Sequence, residues 1–359
     1  PSTLVTVAAV QAVVTAGVTA YESAAPVINE FVGGGSGTPT PPTPENYDDV
    51  GVKDVTNDNI GAINDLVKNS DIDSVDTEAF QHLVDAYNEI IDALGADPKR
   101  DPELTEEDYA ALGFGEIVVS GDIADLFNSL LGQLDVATVE GWGTADPVTT
   151  YANLKARADL ATKVIGFADE DAETVAELIQ PDLEDLFVDN LLGDATQVSL
   201  FNQVVGASKP GDVSSVEKLQ AIAMAMGPIL GGTATLENYN AVGLGLTNGM
   251  LPLFEEVLAE RNESPLTYTA LKEIAAAVSS LIDVAAGVGS KTPLTLATLE
   301  SIGITLTDDI TKAFPEIYLA IAEADPTTLT SLAVVRELIN AAVTAANTFT
   351  LTVVNGSLS

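Results

Sequence analysis

Apolar and polar positions along the chain follow the spacing of one face of an amphipathic helix. Apolar or small residues stand at a first position and again three, six or seven, and ten or eleven residues later. The clearest copies begin at Phe80, Leu219, Leu271 and Val335, and weaker copies begin at Val10 and Leu154. Each copy predicts the last and longest helix of a repeated unit.

A second pattern predicts where each unit starts. A Thr precedes an acidic residue and an aromatic residue, and a Gly stands four positions after the aromatic residue. Thr accepts hydrogen bonds from the free amides of a first helical turn, the acidic residue favours the positive helix end, and Gly permits a left-handed helix end. Full copies span residues 43–51, 105–113 and 235–243, and degenerate copies span residues 174–182, with Leu178 in the aromatic position, and 295–303.

The aromatic or Leu positions of these copies lie 62, 69, 61 and 60 residues apart, which is regular enough for a helical repeat. Apolar stretches between the two patterns predict a middle helix at residues 56–67, 123–130, 183–192, 251–258 and 310–317. In each unit the aromatic residue packs inward and the Gly ends the short first helix. Structural roles are therefore expected for Tyr47, Gly51, Tyr109, Gly113, Tyr239 and Gly243.

The predicted fold is all-α, with about five tandem three-helix repeat modules followed by a short C-terminal β-strand. The strand is predicted because residues 348–354 alternate with a period of two and run into Asn355 and Gly356, a common turn pair. The predicted boundaries are 1–32 for an orphan N-terminal helix, 33–44 for a Gly/Pro linker, 45–101, 102–169, 170–232, 233–290 and 291–347 for repeats 1 to 5, and 348–359 for the strand.

The orphan helix and the strand both break the repeat. The helix corresponds to the last helix of a unit whose first two helices are missing from the sequence. We expect both ends to have been cut from a longer chain. The alternative is a polymer subunit in which a neighbouring copy supplies the missing partners.

Composition excludes several classes of function. The chain of 359 residues has 54 Asp and Glu against 14 Lys and Arg, a formal net charge of −40, so it repels nucleic-acid phosphates and anionic lipids. With no Cys and one His, it has no disulfide, no thiolate site and no basis for a His-dependent catalytic site. The common hydrolase, phosphate-binding and zinc-protease motifs do not occur. We expect neither an enzyme nor a nucleic-acid partner.

The location is expected to be extracellular, at a cell surface. An acidic, Lys-poor, Cys-free surface suits a saline or calcium-containing medium outside the cell. The charge-free stretch at residues 4–20 is interrupted by Thr and Gln and is short for a membrane span, so no membrane insertion is expected.

One acidic turn has the oxygen ligands that calcium prefers. Asp71, Asp73 and Asp76 lie close together in sequence between two predicted helices. The alternative is a solvated turn in which Asp76 caps the next helix, because no twelve-residue calcium loop surrounds it. No cofactor other than calcium at this turn is expected.

Trp142 is the only Trp of the chain and stands between two Gly in a Gly-rich insertion at residues 132–150. An exposed Trp on a loop is a candidate anchor for a partner protein or a glycan. The alternative is a side chain that folds back over repeat 2 as a lid.

These motifs resemble the helical repeats of very large bacterial surface and secreted proteins. The residues that carry the resemblance are the Thr-to-Gly signature, the segment at residues 55–64 and the helix pattern at residues 80–86. Similar repeats occur in RTX-type adhesins exported by type I secretion and in surface-layer-like proteins, and the units also look similar to three-helix host-protein-binding domains. The resemblance covers residues 43–347, with departures in repeats 2 and 3.

The resemblance implies a non-enzymatic extracellular segment of a bacterial surface protein, in which a helical repeat array acts as a spacer, adhesion or assembly region. Its partners would be neighbouring modules of the same protein or other copies. A first alternative is a self-assembling filament or surface-layer subunit that neighbouring subunits complete. A second is a module that binds a host or cell-surface protein or a glycan through Trp142.

Overall fold

A computed structural model gives the fold of residues 7–33, 39–70, 72, 74–96, 98–116, 121–145, 149–168, 177–288 and 293–356, with the backbone alone for Asp189 and residues 349–356. Within these ranges the chain forms eighteen α-helices, three 3-10 helices and no strand. The predicted all-α class is therefore confirmed.

The α-helices are α1 (Val7–Val32), α2 (Pro44–Asp49), α3 (Ile60–Asn69), α4 (Thr77–Gly95), α5 (Glu106–Ala111), α6 (Gly121–Gly132), α7 (Val136–Thr144), α8 (Thr150–Phe167), α9 (Gln180–Asp185), α10 (Ala195–Gly206), α11 (Val216–Leu230), α12 (Leu236–Ala241), α13 (Leu251–Arg261), α14 (Tyr268–Ala285), α15 (Leu296–Ser301), α16 (Asp308–Lys312), α17 (Phe314–Ala322) and α18 (Leu332–Gly356). The 3-10 helices are Asp189–Leu191, Pro210–Asp212 and Pro326–Thr328.

The predicted C-terminal strand at residues 348–359 is wrong in the part that the structure describes, because helix α18 continues to Gly356. The Thr hydroxyls that suggest a strand are satisfied within the helix: Thr344 donates to the Asn340 carbonyl and Thr348 to the Thr344 carbonyl, both at 2.8 Å. The Ala-rich segment before them already forms a helix. Extending a helix is easier than forming a single strand without a partner.

Five six-residue helices, α2, α5, α9, α12 and α15, begin with a related hydrogen-bond arrangement. In four of them the hydroxyl of the Thr before the helix accepts a hydrogen bond from the backbone N–H three residues later. The side chain of that later residue accepts from the Thr N–H in return, which forms a capping box. The pairs are Thr43 with Asn46, Thr105 with Asp108, Thr235 with Asn238 and Thr295 with Thr298.

Each of the five short helices is followed by a residue with positive φ. In four of them this residue is a Gly with φ between +79° and +92°: Gly51, Gly113, Gly243 and Gly303. The N–H of the next residue then donates to the carbonyl of the residue in the anchor position, at 2.7–3.2 Å. Left-handed backbone of this kind reverses the chain after a helix and satisfies an otherwise free carbonyl.

The start of the third predicted repeat differs from its expected position. The anchor position expected at Leu178 is taken by Leu183, which is buried in α9. Ile179 stands where the other copies have Thr, so only the return bond from the Ile179 N–H to Asp182 Oδ2 forms, at 2.7 Å. Phe187, with φ +57°, stands where the other copies have Gly.

The physical reason for this displacement is visible in the first turn of α9. Pro181 lies there, where a Pro needs no hydrogen-bond partner and its fixed φ suits a helix start. The middle helix expected at residues 183–192 is correspondingly displaced and forms α10. Residues 169–176, which include the expected cap Thr174, lie outside the described part of the chain.

The chain forms two compact units, Pro1–Phe187 with Lys209–Glu217, and Val188–Ser208 with Lys218–Ser359. Within the first unit α6 packs on α8, while α3 contacts α4, α7 and α8. Within the second unit α14 is central and contacts α10, α13, α15 and α17, and α18 packs on α17. The division falls inside the predicted repeat 3.

Candidate functional site

The anchor tyrosines are buried, and each packs edge-on against a Phe. The ring centroids are 6.2 Å apart for Tyr47 and Phe80, 5.9 Å for Tyr109 and Phe127, and 4.9 Å for Tyr239 and Phe254. Such aromatic pairs stabilise a fold beyond the area that they bury. With the left-handed Gly51, Gly113 and Gly243 that follow them, these residues contribute to the packing of the helices.

The structure describes one of the three carboxylates predicted to bind calcium. Asp71 and Asp73 lie outside the described residues. Asp76 caps α4: its Oδ1 accepts from the N–H of Glu78 at 3.1 Å and from the N–H of Ala79 at 3.2 Å. Asp76 thus makes the bonds of a helix cap, while calcium binding at this turn stays a prediction.

Trp142 lies on helix α7, so the predicted Trp loop at residues 132–150 is wrong in this part of the chain. The ring is half-buried, and the guanidinium carbon of Arg157 lies 5.4 Å from its centroid. The Arg157 side chain is 14% exposed, and burial lowers its pKa. The ring therefore has a cationic partner within the fold. Binding of a partner protein or a glycan by Trp142 stays a prediction.

Two glycines explain why the insertion is helical. A Cβ on Gly61 in α3 would lie 2.0 Å from the carbonyl oxygen of Gly143 in α7, and a Cβ on Gly143 would lie 2.9 Å from the Ala62 Cβ. The Gly residues that suggest a loop are thus needed for the close approach of two helices. Packing of α7 on α3 offsets the poor helix propensity of Gly.

Helix α1 is buried in its C-terminal half and exposed in its N-terminal half. The buried positions Ala24, Ala25, Ile28 and Phe31 match, 62 residues later, the buried positions Ala86, Tyr87, Ile90 and Ala93 of α4. In the same register Val18 and Tyr21 match Phe80 and Leu83. Val18 and Tyr21 are 52% and 45% exposed, whereas Phe80 and Leu83 are 0% exposed.

The exposed half of α1, which we call the α1 apolar face, consists of residues 7–21 and contains no Asp, Glu, Lys or Arg. Its exposed large side chains are Val7, Val10, Val13, Val14, Val18 and Tyr21. Small side chains, among them Ala8, Ala12 and Ala16, line a groove along the same helix. A contiguous apolar surface of this kind on an acidic chain is typical of an interaction surface.

A second surface feature is an acidic cavity of 570 Å³ in the first unit. Its lining comes from residues 54–59, from residues 85–92 of α4 and from α7. Six carboxylates line it: Asp54, Asp58, Asp85, Glu89, Asp92 and Glu140. None of the described residues that line the cavity is Lys, Arg or His.

Two of the six carboxylates have a side-chain hydrogen-bond partner among the described residues. Glu89 accepts from both terminal nitrogens of Arg100, at 2.6 and 3.1 Å, and this bond holds the pKa of Glu89 below its ordinary value. Asp85 accepts from Gln81 Nε2 at 2.8 Å. The cavity therefore retains a strong excess of negative charge.

Tyr87 lines the same cavity and is 1% exposed. Its hydroxyl makes no hydrogen bond with any group that the structure describes. Burial, and secondly the nearby Glu140 carboxylate, raise the pKa of Tyr87 to about 12, so the phenol is neutral near pH 7. A buried hydroxyl without a partner is unusual in a protein interior.

Sequence reasoning missed this cavity because its three segments are far apart in the chain. One signal was available: Asp85, Glu89 and Asp92 have the spacing of a single helix face. The positions of residues 54–59 and of Glu140 opposite that face depend on how α3 and α7 pack, which no local pattern reveals.

The described ranges contain no group of three or more His, Cys, Asp or Glu side chains that could hold one metal ion. In the same ranges, no helix combines the length and the apolar character needed to cross a membrane. No protein-family model, no curated protein and no solved structure matches this chain.

Proposed function

We propose that the chain is a non-enzymatic structural segment made of tandem three-helix units. Each unit consists of a short capped helix, a middle helix and a long helix, as in α2, α3 and α4 or in α12, α13 and α14. In the second predicted repeat α7 is inserted between the middle helix α6 and the long helix α8, and in the fifth the middle helix is divided into α16 and α17.

The recurrence of the short capped helix is the observation that carries this proposal. The anchor residues Tyr47, Tyr109, Leu183, Tyr239 and Leu299 are separated by 62, 74, 56 and 60 residues. Each is buried, and each is followed four residues later by a positive φ. Because sequence chemistry is conserved between the copies at caps and core positions, it serves folding, as in other repeat arrays.

We place this array outside the cell, as a spacer or assembly region of a bacterial surface protein. The acidic, Cys-free composition supports this location, and calcium at the turn of residues 71–76 belongs to the same proposal. Antibody labelling of intact cells that produce the protein tests the location. Labelling without permeabilisation is the expected result, and labelling only after permeabilisation would contradict it.

A second candidate function, self-assembly, is favoured by the α1 apolar face. In α4 the equivalent positions are covered by packing within the fold, as the burial of Phe80 and Leu83 indicates. A partner for a charge-free surface on a chain of net charge −40 gains nothing from opposite charge. The partner that we assign is the α1 apolar face of a second copy, which is apolar, uncharged and self-complementary in a two-fold arrangement.

Light scattering on the full chain, with and without calcium on the order of 1 mM, tests this assembly. Dimers or larger species are expected, and replacing Val10 and Val14 by Glu should return the chain to monomers. A matched control replaces Met224 and Leu319, two exposed apolar residues elsewhere, by Glu. Monomers at every concentration of the unchanged chain, or equal effects of the two double variants, would contradict it.

A further inference from the structure

We propose that the acidic cavity lined by α4, α7 and residues 54–59 binds a linear polyamine, with the Tyr87 hydroxyl accepting a hydrogen bond from one of its ammonium groups. This site is independent of the α1 apolar face and of the repeat architecture. It follows from the charge of the cavity, from its extent and from the unpartnered hydroxyl within it.

The charge of the cavity calls for a cation. Among the salt bridges of the described residues, those of the six lining carboxylates consist of the pair of Glu89 with Arg100. Five further carboxylates face the same space: Asp54, Asp58, Asp85, Asp92 and Glu140. Like charges around a partly enclosed space repel one another, and a bound cation relieves that repulsion.

The extent of the cavity favours a ligand whose positive charges are separated. Its volume of 570 Å³ is in the range of small-molecule sites. The carboxylates stand on three chain segments, so a linear chain with several ammonium groups can pair with more than one segment at once. The methylene groups between its charges can pack against Ile91, an apolar side chain of the lining.

Tyr87 gives the cavity a specific ligand contact beyond charge. Its ring is buried in the first unit, and its 1% exposure leaves little more than the hydroxyl for the cavity that it lines. A neutral phenol offers oxygen lone pairs to an ammonium N–H. Since no described group bonds to this hydroxyl, a ligand ammonium would satisfy a buried polar group that otherwise lacks a partner.

Calorimetric titration of the full chain with spermine, at physiological ionic strength, tests the proposal. Saturable binding is expected, accompanied by a change in the fluorescence of Trp142, which lies on the same helix as Glu140. Tyr87→Phe removes the hydroxyl and leaves the net charge unchanged. Because a hydrogen bond to a charged group is lost, this variant should weaken spermine binding about tenfold.

A charge-matched pair of variants separates a site from general counterion binding. The double variant Asp85→Asn with Asp92→Asn removes two exposed carboxylates of the cavity, and Glu237→Gln with Asp308→Asn removes two exposed carboxylates outside it. Circular dichroism first verifies that all variants fold. The cavity pair should weaken binding by about tenfold or more, and the control pair by less than about twofold.

Three results would overturn the proposal. Equal losses in the two double variants would show that spermine follows net charge. Unchanged affinity of Tyr87→Phe would remove the hydroxyl contact. Binding of calcium or magnesium alone that depends on Tyr87, with spermine unable to compete, would make the cavity a metal site.

Discussion

The backbones of Gly61 and Gly143 approach so closely that a Cβ on Gly61 would lie 2.0 Å from the Gly143 carbonyl oxygen. Gly61→Ala should therefore lower the free energy of unfolding by about 2–3 kcal/mol, because two helix backbones must separate. Gly141→Ala is the control two residues from Gly143 in α7, since its added Cβ meets nothing within 4 Å. It should stabilise the chain by about 0.5–1 kcal/mol. Urea denaturation measures both, and equal effects would contradict the close crossing.

The third short helix lacks one half of its capping box, and restoring it should stabilise the chain. Ile179 is 58% exposed and its N–H already donates to Asp182. Ile179→Thr adds the hydroxyl that accepts from the first turn, as Thr105 does in α5, for a gain of about 1 kcal/mol. Ile179→Val has a similar shape without the hydroxyl. If thermal unfolding shows the same midpoint for both variants, the capping assignment of α9 fails.

The glycine after a short helix is expected to tolerate no ordinary side chain. At Gly303, φ is +82° and an added Cβ meets nothing within 4 Å, so Gly303→Ala isolates the cost of the left-handed backbone, about 1 kcal/mol or more. Gly303→Asn should cost less, because Asn adopts this conformation more readily. Gly243→Val should also destabilise by about 1 kcal/mol or more. Unchanged stability of Gly303→Ala and Gly243→Val in denaturation experiments would exclude the cap role.

Buried tyrosines should make stability fall at alkaline pH. Burial is the main cause that raises the pKa of Tyr87 and of Tyr239 from 10.0 to about 12. The folded state therefore holds these protons more tightly than the unfolded state. Their stabilisation is complete below about pH 10 and is lost as the pH rises through about 12.

Urea denaturation at a series of alkaline pH values measures this slope. Each buried tyrosine contributes up to about 1.4 kcal/mol per pH unit in that range. Tyr239→Phe removes one titrating group and should flatten the slope, while Tyr21→Phe, at an exposed position, should leave it unchanged. A slope that is insensitive to Tyr239→Phe would show that this phenol does not titrate with unfolding.

The sequence predicted the all-α class because helix periodicity and cap residues are local signals. The same locality explains the errors. Alternating Thr and Val at residues 348–354 resemble a strand, but the helix that precedes them continues. The glycines around Trp142 resemble a loop, but they serve the contact between α3 and α7.

The candidate sites were less predictable than the class. The return partners of the capping boxes, such as Asn46 and Asn238, were not recognised, because attention fell on the acidic residue before them. Exposure of Val18 and Tyr21 depends on which helices cover α1, and the acidic cavity depends on the tertiary position of Glu140. Neither property is encoded by local spacing.

The central claim, a tandem array of three-helix units, is tested most directly by deleting one unit. Removing residues 235–294 takes out 60 residues and joins Ala234 to Thr295, so that one short-helix signature replaces another. If the units are equivalent, the shortened chain should keep its helix content per residue and a cooperative thermal transition within about 5 °C of the full chain.

The control deletion removes residues 235–264, which is 30 residues or half a unit, and should abolish the cooperative transition because it joins helices out of order. Circular dichroism against temperature reads out both variants. Loss of cooperative unfolding in both deletions alike would contradict the tandem array, whereas its retention in the 60-residue deletion alone is the result that the array predicts.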